Sequence, residues 1–302
     1  MRTPLAISAV LAGALLLTAC GTEVSGSRPG GNTAPGACGA GAPGGSADLA
    51  TEGVEITAPA GGLLDCGPAT ASDTFPLRFQ VANHEAEALT YTIRFELVSA
   101  SGEALTYPKA IVAGVGPGRT VRSSTTLGDP MSRERGGVRV RIDQVRSVPA
   151  DEAPVVSGPC PPSGVRVTAD QGDAAMGLRV VGLHLENCSD HAYRVNGFPQ
   201  VQLLDQRHEP VTGVTVLHGS GGISTSAGFD VPPRPLTLRP GESATSGLMW
   251  RNTVQSGSSV NVPYVRVTAK GGAQPVMITP ELDLGTTGKL AVGPWQKSKP
   301  SP

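Results

Sequence analysis

Apolar residues in this chain recur at every second position, in short runs, rather than at every third or fourth. Leu77, Phe79 and Val81 alternate with Arg78, Gln80 and Ala82; Tyr91, Ile93, Phe95 and Leu97 alternate with Thr92, Arg94, Glu96 and Val98. Val138, Val140 and Ile142 do the same with Arg139, Arg141 and Asp143. Successive side chains on a strand point to opposite faces, so this period gives each run one face for a core and one for water. Asn83-His84-Glu85, Ser101-Gly102-Glu103 and Gly116-Pro117-Gly118 supply turns between the runs. With no convincing 3.6-residue period, the expected fold is all-β: two tandem β-sandwiches after a signal peptide and a flexible Gly/Pro-rich tether. Leu, Ile, Val and Phe make up 68 of 302 residues. That is enough for folded domains, since disorder is signalled below about 20%.

The first sandwich is expected over 53–149. Five prolines between Pro149 and Pro162 then predict a stiff linker over 150–159, because proline fixes φ and lacks the donor that strand pairing needs. The second sandwich is expected over 160–295, with a tail at 296–302. Its predicted strands are 165–169, 177–188, 201–204, 214–218, 236–238, 244–250 and 262–269, with a last one near 276–278. Charge changes across the linker, from 11 basic against 15 acidic residues over 20–159 to 12 against 10 from Cys160 onward. The whole chain carries a net charge of -1, which gives no support for nucleic-acid binding.

The N-terminus has one basic residue, Arg2, then an apolar run from Leu5 to Leu17, then Thr18-Ala19-Cys20. This reads as a secretory signal over 1–19. Leu17-Thr18-Ala19-Cys20 resembles the lipobox of bacterial lipoproteins, in which the cysteine is lipidated and becomes the first mature residue. Residues 20–52 are the tether. Between 21 and 47 lie nine Gly and three Pro, a composition that buries too little surface to offset its ordering entropy.

Four further cysteines remain: Cys38, Cys66, Cys160 and Cys188. An even number in an exported chain reads as disulfides. Pairing Cys38 with Cys66 and Cys160 with Cys188 keeps each bond on its own side of the proline-rich break.

Ala175-Met176-Gly177-Leu178-Arg179, Glu186-Asn187-Cys188, Tyr193 to Pro199, Leu238-Arg239-Pro240-Gly241-Glu242 and Trp250-Arg251-Asn252 together resemble a domain-of-unknown-function family common in actinobacterial secreted proteins and lipoproteins. The resemblance covers 160 to about 295. It implies an immunoglobulin-like sandwich and the Cys160 to Cys188 bond, and it implies no activity.

Candidate chemistry is sparse. His218-Gly219-Ser220-Gly221-Gly222 opens a Gly/Ser loop, Gly219 to Gly228, whose length suits binding, but it lacks the G-x-S-x-G spacing of a nucleophile elbow. His184, His191 and Glu186 are close in sequence, and Met176, Met249 and Met277 stand singly, so no metal is expected. Arg133, Arg135, Arg139, Arg141 and Arg146 form an arginine-rich run. Within it Arg139 and Arg141 share the predicted solvent face, where they are candidate contacts for phosphate or carboxylate. Trp250 and Tyr193 read as core anchors.

The expectation is a lipid-anchored extracytoplasmic envelope protein acting as a non-catalytic binding or structural module. It needs no cofactor, and its partners are the membrane, through lipid at Cys20, and an anionic cell-wall polymer or an envelope protein. The alternatives are an envelope enzyme using the Gly219 to Gly228 loop and a periplasmic-type metal carrier.

Overall fold

The structure is a computed structural model that describes residues 50–58, 63–64, 74–99, 101–128, 138–224 and 228–298. All of them fall within one compact unit. The signal segment, Cys20, Cys38, Cys66, Arg133 and Arg135 lie outside the described residues.

Among the described residues the elements are strands, with no helix. The first part of the chain forms β1 (Ala50–Thr51), β2 (Val54–Ala58), β3 (Leu63–Leu64), β4 (Thr74–Ala82), β5 (Leu89–Val98), β6 (Ala104–Thr106), β7 (Lys109–Val115), β8 (Thr120–Gly128) and β9 (Val138–Pro149). One sheet has the order β1-β2-β4-β8; the other runs β3-β9-β5, with β6 and β7 also paired to β5. The alternating apolar residues of both sheets meet in one core, where Phe79 and Phe95 pack edge to face with centroids 5.3 Å apart. β9 faces the core from Val138 to Val145 because its pairing with β5 slips by one at Asp143. The bulge lets Ile142 and Val145, which plain alternation would put on opposite faces, both reach the core.

The second part forms β10 (Val165–Ala169), β11 (Asp173–Ala175), β12 (Leu178–Asn187), β13 (Tyr193–Val195), β14 (Gln200–Leu204), β15 (Thr215–His218), β16 (Leu236–Leu238), β17 (Ser243–Arg251), β18 (Asn261–Val262), β19 (Tyr264–Thr268), β20 (Val276–Ile278), β21 (Leu282–Asp283), β22 (Lys289–Val292) and β23 (Gln296–Lys297). The main sheet is β10-β12-β17-β22-β15, with β11 on β12 and β23 on β17. It faces β14-β19-β20 across a core that includes Leu183, Leu185, Leu248, Val265, Val267 and Trp295. The predicted strand 262–269 is two strands in the structure. Pro263 has no N–H to give a ladder, so β18 pairs β21 while β19 pairs β14 and β20. Cys160 and Cys188 form a disulfide with Cα atoms 5.5 Å apart.

The two sandwiches share one plan. β2-β4-β8 corresponds to β10-β12-β17, and β9-β5-β7 corresponds to β19, β14, β13 and β16, all antiparallel. The counterpart of continuous β5 is broken into β13 and β14 at Asn196-Gly197-Phe198-Pro199, where Gly197 takes a φ of 79°.

The same corner closes both. Asn83 Nδ2 donates to Glu87 O (2.7 Å) and Val115 O (2.8 Å), while its amide donates to Arg119 O (2.9 Å). Asn187 Nδ2 donates to His191 O and Leu238 O (both 2.8 Å), and its amide to Glu242 O (3.0 Å). Each acceptor strand ends in a Pro-Gly turn, Gly116-Pro117-Gly118-Arg119 or Arg239-Pro240-Gly241-Glu242. Gly118 and Gly241 take φ of 62° and 78°, which the third position of a type II turn requires.

The predicted linker is packed rather than spanning free. Met277 N donates to Glu152 O (2.8 Å), Arg266 Nε to Glu152 Oε2 (2.7 Å), and Arg146 grips Glu281 with two bonds of 2.5 and 2.9 Å. Val148 lies in a small cluster with Leu204, Tyr264 and Met277. The proline-rich segment is thereby tied to the second sandwich by backbone, side-chain and apolar contacts.

Candidate functional site

Arg139 and Arg141 point away from the core on β9, and their surroundings differ. Arg141 Nε stands 2.5 Å from Glu96 Oε2, a carboxylate only 8% exposed that also accepts from Tyr107 Oη at 3.2 Å. The adjacent Asp143 pairs with Arg94. Register brings these charges opposite one another, because Glu96 pairs with Arg141 across β5 and β9. Both arginines lie on the predicted solvent face, Arg141 exposed and Arg139 partly buried, and it is Arg141 that stands against a buried carboxylate. Arg141→Gln removes the cation beside a buried carboxylate and is expected to cost about 1–3 kcal/mol, whereas Arg139→Gln should be near neutral. Urea denaturation of the two single variants checks the difference.

The Gly219 to Gly228 loop is pinned at its described ends. Ile223 and Phe229 pack with Met249 and Ala291 on the outer side of the main sheet, and a Cβ on Gly247 would stand 3.0 Å from Phe229 Cζ. Ser220 is buried, its amide 2.8 Å from Asp230 Oδ1. The Ser220 hydroxyl and amide hold the Asp230 carboxyl below its ordinary range. His218, two residues before the serine, stacks on Phe198 with ring centroids 4.2 Å apart. Ser220 thus meets the Asp230 carboxylate, while the His218 ring faces Phe198.

Over β10, β12, β17 and β23 lies an open groove of about 850 Å³. Arg166 Nη1 reaches both oxygens of Glu186 (3.1 and 3.2 Å), and Lys297 Nζ stands 2.8 Å from Glu242 Oε1. The Lys297 ammonium and the Arg239 amide hold the Glu242 carboxyl below its usual range. His184 opens into the same groove with Asp170 3.6 Å away, while exposed His191 pairs with its neighbour Asp190. Two buried donors beside the groove, Arg166 Nε and Ser298 Oγ, have no partner among the described residues. Among the described residues no three His, Cys, Asp or Glu side chains converge on one point. Met249 and Met277 are fully buried in separate apolar clusters.

Trp250 is a core residue, its Nε1 donating to Asp283 Oδ1 at 2.8 Å. Burial raises the Asp283 carboxyl, but bonds from Trp250, Asn252 and Arg179 outweigh it and hold the group below the ordinary carboxylate range. Tyr193 packs half-buried against the core with Lys270 Nζ 4.0 Å over its ring.

These features define an all-β protein of two sandwiches built on one plan, with a polar groove on the second. Residues 160–296 match the model of a family described as a domain of unknown function (DUF4232). No curated protein matches the chain. Among solved structures, a red sea bream transglutaminase is similar at 10% identity and a TM-score of 0.19, over 80% of this chain and 31% of that one. A putative β-galactosidase from Bacteroides fragilis is similar at 10% identity and a TM-score of 0.19, over 74% of this chain and 32% of that one. The chain thus spans about a third of either structure, and likeness at these scores carries no argument.

Proposed function

We propose that the chain is a lipid-anchored extracytoplasmic envelope protein whose sandwiches form a non-catalytic binding and structural module. The lipobox at Cys20 supplies the anchor in this reading, and the groove on the second sandwich supplies the contact surface. The observation that carries it is the pair of buried, unpartnered donors at the groove, Arg166 Nε and Ser298 Oγ. Buried donors without acceptors are rare because each costs free energy; both residues line the groove, and carboxylate or phosphate oxygens are the chemistry that suits them once the side chains turn toward it. Anionic cell-wall polymer has that chemistry, and Arg139 adds a cation on the first sandwich.

Sedimentation with purified cell wall tests the reading. The parent is expected to co-sediment weakly and in a salt-sensitive way, since exposed charges are screened within about 8 Å at physiological ionic strength. Ser243→Tyr, which places a ring in the groove opposite Glu186, should lower the bound fraction, and Arg139→Gln should lower it at low salt. A parent that stays in the supernatant, or a Ser243→Tyr variant that sediments unchanged, contradicts the groove reading.

A further inference from the structure

We propose that a second pocket, formed by β13, β16 and the turn after β19, is an oxyanion site that takes a phosphate or carboxylate group. The pocket has a volume of about 490 Å³ and is lined by Arg194, Asn196, Pro235, Leu236, Thr237 and Lys270, together with Val195. Two of these side chains are cations, two are neutral hydrogen-bonding groups, and none is a carboxylate. Elsewhere on this sandwich Arg166, Arg179, Arg266 and Lys297 each stand against a carboxylate.

Lys270 is held in place, and the groups that hold it among the described residues carry no negative charge. Its Nζ donates to Arg194 O at 3.0 Å and lies 4.0 Å over the Tyr193 ring. A carbonyl and an aromatic face orient an ammonium but leave its charge and a remaining N–H for a ligand. Arg194 is exposed and sits directly opposite Thr237 across the β13–β16 pair, so guanidinium and hydroxyl share one face. A guanidinium fork binds two oxygens of one anion at once, and a lysine beside it adds a point charge.

The first sandwich acts as an internal comparison. Counting seven residues from the corner asparagine reaches Arg194 from Asn187 and Thr90 from Asn83. Thr90 is buried, its Oγ1 accepting from Gly114 N at 3.2 Å. The shared plan therefore does not need a cation at this position, and the second sandwich alone carries one. The pocket lies apart from the groove, on other strands and other residues.

The test is an NMR titration of the full chain with inorganic phosphate and, separately, with acetate, at low and at high ionic strength. Phosphate should shift the amides of Asn196 and Thr237 and lose effect at high salt. Arg194→Gln combined with Lys270→Gln should weaken binding by about tenfold or more, the size expected when charge-assisted bonds are lost, while Lys270→Arg should retain it. A comparable response to acetate extends the site to carboxylates; a response to phosphate alone restricts it to phosphate groups. Should the double variant fail to fold, Arg194→Gln alone, at an exposed position, carries the same reading. Undisturbed Asn196 and Thr237 amides in the parent, or a variant that titrates as the parent does, would overturn the site.

Discussion

Trp295→Ala is expected to lower the stability of the second sandwich by about 3–5 kcal/mol, the range for removing a large aromatic from a packed core. Trp295 is 2% exposed and among the largest fully buried side chains. It is bonded at both ends: its amide donates to Gly197 O and its Nε1 to Ala269 O, each at 2.9 Å. The loss therefore includes a cavity and an orphaned carbonyl as well as apolar contact. Trp295→Phe restores most of the volume but not the indole donor, so it should recover more than half of the loss. Urea unfolding of the two variants, compared by midpoint at constant slope, reads this directly.

Asn83→Ala and Asn187→Ala should each cost about 2–4 kcal/mol, because each strands two carbonyls that an amide now satisfies, and a buried unsatisfied group carries a penalty of about 1–3 kcal/mol. Glu87 O and Val115 O lose their donor in the first case, His191 O and Leu238 O in the second. Similar losses at both positions are the energetic counterpart of the repeated corner. If one asparagine were dispensable while the other was not, the two corners would share a shape without sharing a role. The Asp-for-Asn change keeps an acceptor for Glu85 N or Ser189 N but removes the Nδ2 donors, so it should not rescue.

How much of this was open to reading follows the physics of each element. Half-buried strands alternate, and β4 and the first half of β9 are legible because one face of each meets the core while the other is more open to water. β22 was not legible. Leu290, Ala291 and Val292 are all fully buried, since the strand lies between β17 and β15 with the loop residues Ile223 and Phe229 over its outer side; with neither face in water there is no alternation to see. The repeat was legible and missed: Asn83 and Leu89 have the spacing of Asn187 and Tyr193, and each sandwich follows with a Pro-Gly turn four residues long. Its signal is a few residues separated by loops of unequal length, which a search for alternating runs passes over.

At the candidate sites, alternation placed Arg139 and Arg141 on the outer side of β9 but could not supply Glu96 as the partner of Arg141. That pairing depends on the register of β5 against β9, which the bulge at Asp143 shifts. The groove and the Arg194–Lys270 pocket were beyond sequence reading for a related reason. Arg166, Glu186, Glu242 and Lys297 come from four strands or turns, and Arg194 meets Lys270 across 76 positions of chain. Spacing along a sequence carries no information on which strand edges will adjoin. Cysteine arithmetic did better, because Cys160 and Cys188 lie at the two ends of the paired strands β10 and β12, which bring them together whatever fills the loop between.

The central claim, a module held at the membrane by lipid on Cys20, is tested most directly by metabolic labelling with a radioactive fatty acid and membrane fractionation of the parent beside Cys20→Ser. The account predicts a labelled, membrane-bound parent cleaved after Ala19, and a Cys20→Ser variant that carries no label and keeps its signal segment. A variant that remains lipid-labelled, or a parent that carries no label, would contradict it.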